Sequence, residues 1–357
     1  LARGMGKPKK NPENFLEILK FIWWNLDKCL DDETIYASAL VTAIDCAKNG
    51  VTFVIDHHSS PNSIHNSLNI IKEAFEKVGV SHLLCYEITD RDGQKFTEKA
   101  LVETDSYLTN NQGLVGLHAS FTLSDETLKQ AYLLCEKHKT GIHIHVAEDK
   151  YDQLHCRNNF NKSVVERLDN FGFLDFEKTI LAHCIHIDDF ERNILLNSNC
   201  WIVQNMESNQ NNRVGFFNGN GLNPDKIMFG TDGMHSDIIK SSKAAFLSGM
   251  NNEFLLPSDN YRRLRNVHNY LKINKFTGDS QNNLVVIDYN SPTEISDENF
   301  LAHFIYGIES KHITHVISDG KLIVENRRLT TIDEDSTYEF SRKQSKKLWE
   351  AMQKNGI

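Results

Sequence analysis

Seven short apolar runs, separated by segments with helical periodicity, constrain the fold of this 357-residue chain most strongly. The runs are continuously apolar rather than alternating, which is typical of strands buried on both faces. Buried strands joined by helices form parallel sheets, and eight such steps close a (β/α)8 barrel. The predicted strands are 51–56, 79–87, 114–120, 141–148, 179–187, 200–206 and 226–233.

The chain opens with a helix rather than a strand. Apolar residues at helical spacing predict this helix between Phe15 and Leu30, with Asn11 as its N-cap and Pro12 in its first turn. Because no strand precedes it, we expect the first barrel strand upstream of Leu1. The predicted fold class is therefore α/β, a (β/α)8 TIM-like barrel with its first strand missing from the chain.

The end of the chain shows a different pattern, in which β-rich runs follow one another without helices between them. Asp319 and Gly320 separate two of these runs and predict a type I′ hairpin. We therefore expect a barrel over residues 1–280, a small β-sandwich domain over 281–334 and a C-terminal helix over 335–357.

Composition narrows the class of partner. The net charge is −9 and the pI is about 6.0, which disfavours nucleic acid or an anionic membrane as a binding partner. The sequence contains no run of 18 apolar residues, so no membrane-spanning helix is expected. The 7 cysteines lack CxxC spacing and indicate reduced thiols in a cytoplasmic protein. A small-molecule substrate remains the expected partner.

Polar residues gather where five of the predicted strands end. A single strand histidine is more often a hydrogen-bonded core residue than a ligand, but the shared position favours a functional site. The C-terminal strand ends of a β/α barrel form one mouth, and imidazoles and carboxylates that converge there suit a divalent metal such as zinc. The polar residues are His118, His145, Glu148, His183, Asn205 and Asp232.

Four segments, in this order, carry a family resemblance: HIHVAE at 143–148, LAHCIHID at 181–188, NMESNQNNRVG at 205–215 and FGTDGMHSD at 229–237. They resemble the amidohydrolase superfamily, and within it the branch of deaminases and chlorohydrolases. DHHSSPNSIHNSL and GLHASFTLSDETL further resemble the SsnA-type aminohydrolases of that branch. The resemblance covers nearly the whole chain.

The resemblance implies a role for each catalytic residue. His145 and Asp232 are the implied metal ligands, and Asp232 also takes a proton from the attacking water. His183 holds that water or the substrate, and Glu148 carries a proton to the reacting ring or leaving group. The implied cofactor is one divalent metal ion, zinc, with iron and manganese as alternatives.

Substrate-binding residues are expected around this centre. His118 and Asn205 match pocket positions of the family, and Glu148 would contact the substrate as it transfers its proton. His235, three residues after Asp232, is expected to line the same pocket. His57 and His58 follow the first predicted strand, and one of the two is expected to reach the rim.

One departure from the family pattern affects the metal. The family's first strand carries an H-x-H pair with two further metal ligands, and this sequence contains neither that pair nor the opening β-segment of the small domain. With His145 and Asp232 alone, metal affinity is expected to be poor. A non-catalytic scaffold without a complete metal site is therefore the alternative from a different class, although the retained polar rim opposes it.

The implied reaction is metal-dependent hydrolysis of a non-peptide carbon–nitrogen bond in a nitrogen heterocycle or cyclic amide, by deamination or ring opening. Chlorohydrolase-type dehalogenation is the alternative within the same chemistry. Family context associates SsnA-type proteins with purine breakdown, and amidohydrolases commonly form homodimers. A phosphate-binding β/α barrel is disfavoured because no Gly-rich loop follows the last strands.

Overall fold

A computed structural model of the protein describes residues 1–355. It contains a seven-stranded sheet in which every strand pairs in parallel with the next one along the chain. The α/β, TIM-like prediction is thereby confirmed, while β1 and β7 remain the two edges of the sheet. The strands are β1 Phe53–His58, β2 Ser81–Ile88, β3 Val115–Ala119, β4 Ile142–Val146, β5 Ile180–His183, β6 Trp201–Gln204 and β7 Ile227–Phe229.

Helices occupy the connections between these strands. Within residues 1–355, none of them combines the length and hydropathy that a membrane crossing needs. The helices are α1 Phe15–Ile18, α2 Trp24–Cys29, α3 Asp32–Lys48, α4 Ser67–Val78, α5 Gln94–Asn110, α6 Asp125–His138, α7 Lys150–Phe160, α8 Val164–Asn170, α9 Asp189–Leu196, α10 Met206–Asn211, α11 Ile238–Asn252, α12 Pro257–Ile273, α13 Phe300–Tyr306 and α14 Glu334–Asn355.

The first helix begins later than the sequence suggested. Asn14, rather than Asn11, is the N-cap, because its side chain accepts the backbone N–H of Glu17 at 3.0 Å. A π-helical turn over Leu19–Trp23 then joins α1 to α2. The segment lies across the mouth of the sheet and packs against Phe121, Ile185 and Val214.

The inner face of the sheet is built from alternate residues of each strand. Deep in the sheet these residues are apolar and form one cluster with α12, whose members include Phe53, Ile55, Leu83, Cys85, Leu114, Ile180, Trp201 and Met228. Toward the C-terminal end of each strand, the alternate residues that point to the same inner face become polar. The apolar floor thus lies directly beneath the polar rim that the sequence predicted.

The small β-region is one antiparallel sheet rather than a sandwich. Its order is β11-β10-β9-β8, from β8 Leu284–Ile287, β9 Ile313–Ser318, β10 Lys321–Glu325 and β11 Arg328–Leu329. Ile313 and Ile323 are buried in one cluster with residues of α3 and α4, while the residues of β8 are exposed. The predicted hairpin is present: Asp319 and Gly320 both have positive φ, 48° and 74°, as a type I′ turn requires.

A buried carboxylate fixes the turn at the end of β4. Asp152, in α7, accepts the backbone N–H groups of Ala147 at 3.0 Å and Phe121 at 3.1 Å. Ala147 has φ of 45°, a left-handed conformation that costs a non-glycine residue roughly 1–2 kcal/mol. Burial raises the pKa of Asp152 to about 7 despite these two hydrogen bonds.

We expect this carboxylate to make stability depend on pH. A carboxyl with a folded pKa of about 7 and an unfolded pKa of about 3.9 keeps its proton longer in the folded state. The contribution of this carboxyl to the free energy of unfolding therefore falls by about 2–3 kcal/mol as pH rises from about 5 to 8. Asp152→Asn should remove this part of the pH dependence, measured by urea unfolding at the two pH values. An unchanged pH dependence in the variant would contradict the assignment.

Candidate active site

A cavity of about 780 Å³ opens at the C-terminal ends of the parallel strands. Its walls include the inner faces of β1 to β7, and the segment containing Trp23 and Trp24 covers part of its mouth. All the site residues that the sequence singled out line this one cavity: His118, His145, Glu148, His183, Asn205, Asp232 and His235.

The alternation of side chains along a strand explains why some of these residues point into the cavity, but not all of them. His118, His145, Asn205 and Asp232 continue the inward parity of their strands, as the period of two requires. Asp232 itself has φ of 49°, which turns the chain out of β7. Left-handed residues at functional sites typically cost about 1–3 kcal/mol and persist because surrounding contacts hold them.

Glu148 and His183 break this parity. His183 follows the inward Ala182 and would point outward in a regular strand, but its φ of 73° redirects it. Glu148 is off the parity set by His145, and the left-handed Ala147 between them turns it back over the mouth. Two local irregularities therefore bring an imidazole and a carboxylate to the site.

Glu148, His183 and Asp232 form a compact group whose ligand atoms all lie within 4.8 Å of one another. The Nε2 atom of His183 is 3.5 Å from Glu148 Oε2 and 3.8 Å from Asp232 Oδ2. Asn209 Oδ1 lies 2.7 Å from His183 Nδ1, so Nδ1 carries the proton and Nε2 presents a lone pair. Ser208 Oγ donates to Asp232 Oδ2 at 2.6 Å and orients that carboxylate.

The two carboxylates of this group differ in protonation. Burial, together with the nearby charge of Asp232, raises the pKa of Glu148 to about 8. Burial also acts to raise the pKa of Asp232, but His183 and the Ser208 hydroxyl outweigh it, and the pKa is lowered. At neutral pH, Glu148 therefore holds a proton to donate and Asp232 is an ionised acceptor. Titratable pairs with pKa values pushed apart in this way suit paired acid and base roles.

His145 belongs to a second group, with His57 and Glu87. The rings of His57 and His145 meet edge to face at a centroid distance of 4.9 Å, and His57 Nδ1 is 3.8 Å from Glu87 Oε2. The predicted ligands His145 and Asp232 thus fall in neighbouring groups, which the stacked rings of His145 and His183 join at 5.6 Å.

The histidines at this junction are oriented as metal-binding histidines are. His145 Nδ1 lies 2.6 Å from the backbone oxygen of His118, so its proton points there and Nε2 offers a lone pair. His183 is held in the same tautomer by Asn209. Imidazoles with an anchored Nδ1–H, beside carboxylates, are the donor set that zinc prefers. The residues present therefore fit a divalent metal.

The expected substrate contacts other than Glu148 occupy different parts of the wall. His118 is buried beside Trp24, with ring centroids 6.1 Å apart, and burial lowers its pKa to about 3. Asn205 lines the cavity from the end of β6. His235 is engaged at both nitrogens, because Nε2 is 2.6 Å from Glu207 Oε2 and Nδ1 accepts the N–H of Asp237. Its ring is thus held in place at the cavity wall.

A charged cluster beside His118 was missed in the sequence. Glu87 ends the inward face of β2, and Arg91 Nη1 lies 2.6 Å from its Oε1. Arg91 also contacts Asp27 Oδ2 at 3.2 Å, and its guanidinium carbon is 5.1 Å from the ring centroid of Trp24. The signal was available, because Glu87 is a carboxylate near the end of a buried strand, like the predicted residues on the other strands.

His143 lies below His145 on the inner face of β4. Its ring contacts His57 at a centroid distance of 4.9 Å, and its Nδ1 is 3.7 Å from Cys85 Sγ. We expect His143→Ala to lower the free energy of unfolding by roughly 2–3 kcal/mol through the cavity it leaves. Zinc content measured after loading should stay within a few-fold of the parent protein; selective metal loss would show that His143, not His145, is the ligand.

Comparison with known proteins shows the family. The model of the amidohydrolase family matches residues 5–278. The chain belongs to the amidohydrolase family. The predicted superfamily is thereby confirmed, and with it the expectation of a hydrolase acting on carbon–nitrogen bonds other than peptide bonds.

Individual relatives of this amidohydrolase lie in the deaminase and chlorohydrolase branch. The 5'-deoxyadenosine deaminase of Methanococcus vannielii is 27% identical over 341 residues, covering 89% of this chain and 78% of the relative. An adenosine deaminase from Xanthomonas campestris with bound zinc superposes with a TM-score of 0.79 at 16% identity, over 95% of this chain and 81% of that one.

A second structural relative is the atrazine chlorohydrolase TrzN from Arthrobacter aurescens, complexed with zinc. Its TM-score is 0.78 at 12% identity, over 95% of this chain and 84% of that one. At these identities the structural likenesses describe the fold, which is that of an amidohydrolase barrel. The scaffold alternative receives no support from relatives that are named as deaminases and hydrolases.

Proposed function

We propose that this amidohydrolase deaminates an amino-substituted nitrogen heterocycle, with an aminopurine nucleoside of the 5'-deoxyadenosine type as the leading substrate class. The observation that carries the proposal is the group of Glu148, His183 and Asp232. It sets a protonated carboxyl opposite an ionised carboxylate within 4.8 Å, at the wall of a large cavity. Hydrolytic deamination needs one group that accepts a proton from water and another that donates a proton to the ring.

We propose that one divalent metal, zinc, is held by His145 and Asp232, as the family resemblance implies. His145 supports this with an Nε2 lone pair fixed by its Nδ1 contact, and Asp232 with an ionised carboxylate. Bound zinc would polarise a water and lower its pKa toward about 7, making hydroxide accessible at neutral pH. Iron and manganese suit the same ligand types less specifically.

The side chains of this chain move the protons. Asp232, ionised and oriented by Ser208, accepts the proton that the water loses as its oxygen bonds to the ring carbon. Glu148, protonated at neutral pH, donates to the adjacent ring nitrogen, so the ring does not accumulate negative charge. His183 lies between the two carboxylates and holds the water and the reacting group in line. The amino group then takes the proton held by Asp232, the carbon–nitrogen bond breaks and ammonia leaves. The remaining hydroxyl proton returns to Glu148 as the carbonyl forms.

The substrate class rests on the relatives and on the cavity. Proteins named 5'-deoxyadenosine deaminase match the chain over most of its length. The cavity volume of about 780 Å³ is ample for a nucleoside and falls within the range of small-molecule sites. Dehalogenation remains the second candidate, since an atrazine chlorohydrolase shares the fold. It differs only in the leaving group, because water would add to a ring carbon in the same way.

A substrate panel tests the proposal. Zinc-loaded protein is incubated with 5'-deoxyadenosine, guanine, a chlorinated triazine and a cyclic amide, and ammonia, chloride and ring-opened product are measured. Ammonia release from the aminopurines alone supports deamination. Chloride release without ammonia would transfer the assignment to dehalogenation, and a ring-opened product would transfer it to cyclic amide hydrolysis.

We further propose that the protein acts in purine metabolism as a cytoplasmic homodimer. Six of the 7 cysteines are buried free thiols, which suits a reducing compartment. Exposed apolar side chains at the α11–α12 turn, Leu247, Met250, Phe254 and Leu256, offer a surface for self-association. Sedimentation showing only monomer at micromolar concentration would remove the dimer.

A further inference from the structure

The side chain of Asp152 connects two different turns of the backbone. Its Oδ2 accepts the N–H of Ala147 at 3.0 Å, in the turn after β4, and its Oδ1 accepts the N–H of Phe121 at 3.1 Å, in the turn after β3. The residue is 3% exposed. Both carboxylate oxygens are thus used, away from solvent, to join the ends of two neighbouring strands.

Both turns carry parts of the candidate active site. Ala147 directly precedes Glu148, the proposed proton donor. Phe121 lines the cavity, and its ring meets that of His118 edge to face at a centroid distance of 5.5 Å. Asp152 therefore connects the proton donor to the part of the cavity wall where His118 is expected to contact the substrate.

The turn after β3 is held in place from a second direction. Arg167, a buried residue of α8, donates from Nη1 to the backbone oxygen of Ser120 at 2.9 Å and from Nη2 to that of Leu123 at 2.8 Å. Because the guanidinium is rigid and planar, these bonds hold the start and the end of the turn together. Phe121 lies between them, so its N–H presents a fixed donor to Asp152.

The turn after β4 is the less stable of the two. Ala147 has a left-handed backbone, which is unfavourable for a residue other than glycine. The N–H of His186 donates to its carbonyl at 2.9 Å, while Asp152 accepts its N–H. The hydrogen bond from Asn212 to the side chain of Glu148 is long, 3.3 Å, so the position of Glu148 depends mainly on this turn.

We propose that Asp152 is a positioning residue for proton transfer, which holds Glu148 against the reacting ring by tying its turn to the turn of Phe121. This inference rests on the proposed function, because Glu148 donates a proton only in that reaction. Asp152 acts through backbone N–H groups rather than on the substrate. A displacement of about 1 Å in a catalytic group can lower turnover by about 10²-fold, so a small relaxation of the turn is enough to be measured.

A double-mutant cycle with Glu148→Gln separates positioning from a purely structural role. Asp152→Asn keeps the shape of the side chain but replaces one acceptor by an amide NH₂ group, which cannot accept a backbone N–H. With 5'-deoxyadenosine we expect kcat to fall by about 10–100-fold and KM to change by less than about 3-fold. In the Glu148→Gln background the further fall should be less than about 3-fold, because no carboxyl proton remains to be positioned.

Asp90→Asn is the matched control, with all rates expressed per zinc-loaded chain at one fixed pH. Asp90 accepts the backbone N–H of Ser124 at 2.7 Å and the hydroxyl of Thr127 at 2.7 Å, so it also holds the chain that follows β3. It is not among the described residues that line the cavity. We expect this variant to lower the free energy of unfolding and to change kcat by less than about 3-fold, equally in both backgrounds.

The outcomes distinguish the inference from the proposed function. An equal fall of kcat from Asp152→Asn in both backgrounds, or a change in KM alone, would overturn the inference and leave the proposed function intact. No ammonia release by the zinc-loaded parent protein would overturn both.

Hydrogen exchange of the parent protein, followed by NMR, gives a second measurement that does not depend on how well the variant folds. One carboxylate holds the amides of Ala147 and Phe121. We therefore expect both amides to be protected and to exchange as one unit, with protection within about 10-fold of each other. Rapid exchange of either amide would overturn the inference.

Discussion

Asp232→Asn should lower kcat/KM for ammonia release by about 10⁴-fold, the upper end of the range for a positioned acid or base. The variant keeps the size of the side chain and an acceptor for the Ser208 hydroxyl, which bonds Oδ2 at 2.6 Å. It removes the negative charge that accepts the proton of the attacking water. Because Asp232 is also a proposed metal ligand, bound zinc is counted in the variant and steady-state rates are expressed per zinc-loaded chain, with circular dichroism to confirm the fold.

Ser208→Ala is the control for this prediction. It removes the hydrogen bond that orients Asp232 but leaves the carboxylate ionised. We expect a loss of about 10-fold, since a typical hydrogen bond to a charged group contributes roughly 1.5–3 kcal/mol, and only part of this is lost when water replaces the hydroxyl. Asp232→Asn with more than a tenth of the parent turnover would refute its role as base.

Glu148→Gln is the second large-effect prediction, with turnover reduced by about 10²–10⁴-fold. The neutral parent side chain at pH 7 differs from glutamine by one transferable proton, because the pKa of Glu148 is about 8. Binding of substrate and metal should therefore survive, and the loss should appear in kcat rather than in KM. Parent-like kcat would remove Glu148 from proton transfer.

Asn212→Ala is a useful comparison for Glu148→Gln. Asn212 Nδ2 donates a long hydrogen bond to Glu148 Oε1 at 3.3 Å. The other carboxyl oxygen of Glu148 can carry the proton that is transferred. We expect less than about a 10-fold loss of kcat from this variant. A larger loss than that of Glu148→Gln would indicate that Asn212, not Glu148, organises the reacting group.

Strand periodicity was enough to predict the barrel and part of its rim. The continuously apolar runs, typical of strands buried on both faces, predicted the parallel sheet. The period of two along each strand places four residues on its inner face: His118, His145, Asn205 and Asp232. The packing of the C-terminal β-region, residues 281–334, was less predictable. A run of β-rich segments does not say whether its apolar face meets a second sheet or, as Ile323 does here, a layer of helices.

Strand periodicity could not predict that the side chains of Glu148 and His183 point into the site. Both are off the inward parity of their strands and reach the site only through left-handed backbone at Ala147 and at His183 itself. Hydrophobic periodicity carries no information on such local strain. The position of both residues at strand ends made them candidates, and only the family resemblance gave them roles. Glu87 was missed although its parity is regular and it is the last residue of the predicted strand 79–87, so the same strand-end criterion would have selected it.

The central claim is that this chain hydrolyses a carbon–nitrogen bond with one divalent metal at the mouth of the sheet. The most direct test is a titration of metal-free protein with zinc while ammonia release from 5'-deoxyadenosine is followed. We expect no activity without metal and a linear rise that saturates at one equivalent. Full ammonia release by the metal-free protein, or no release at any zinc content, would contradict the account.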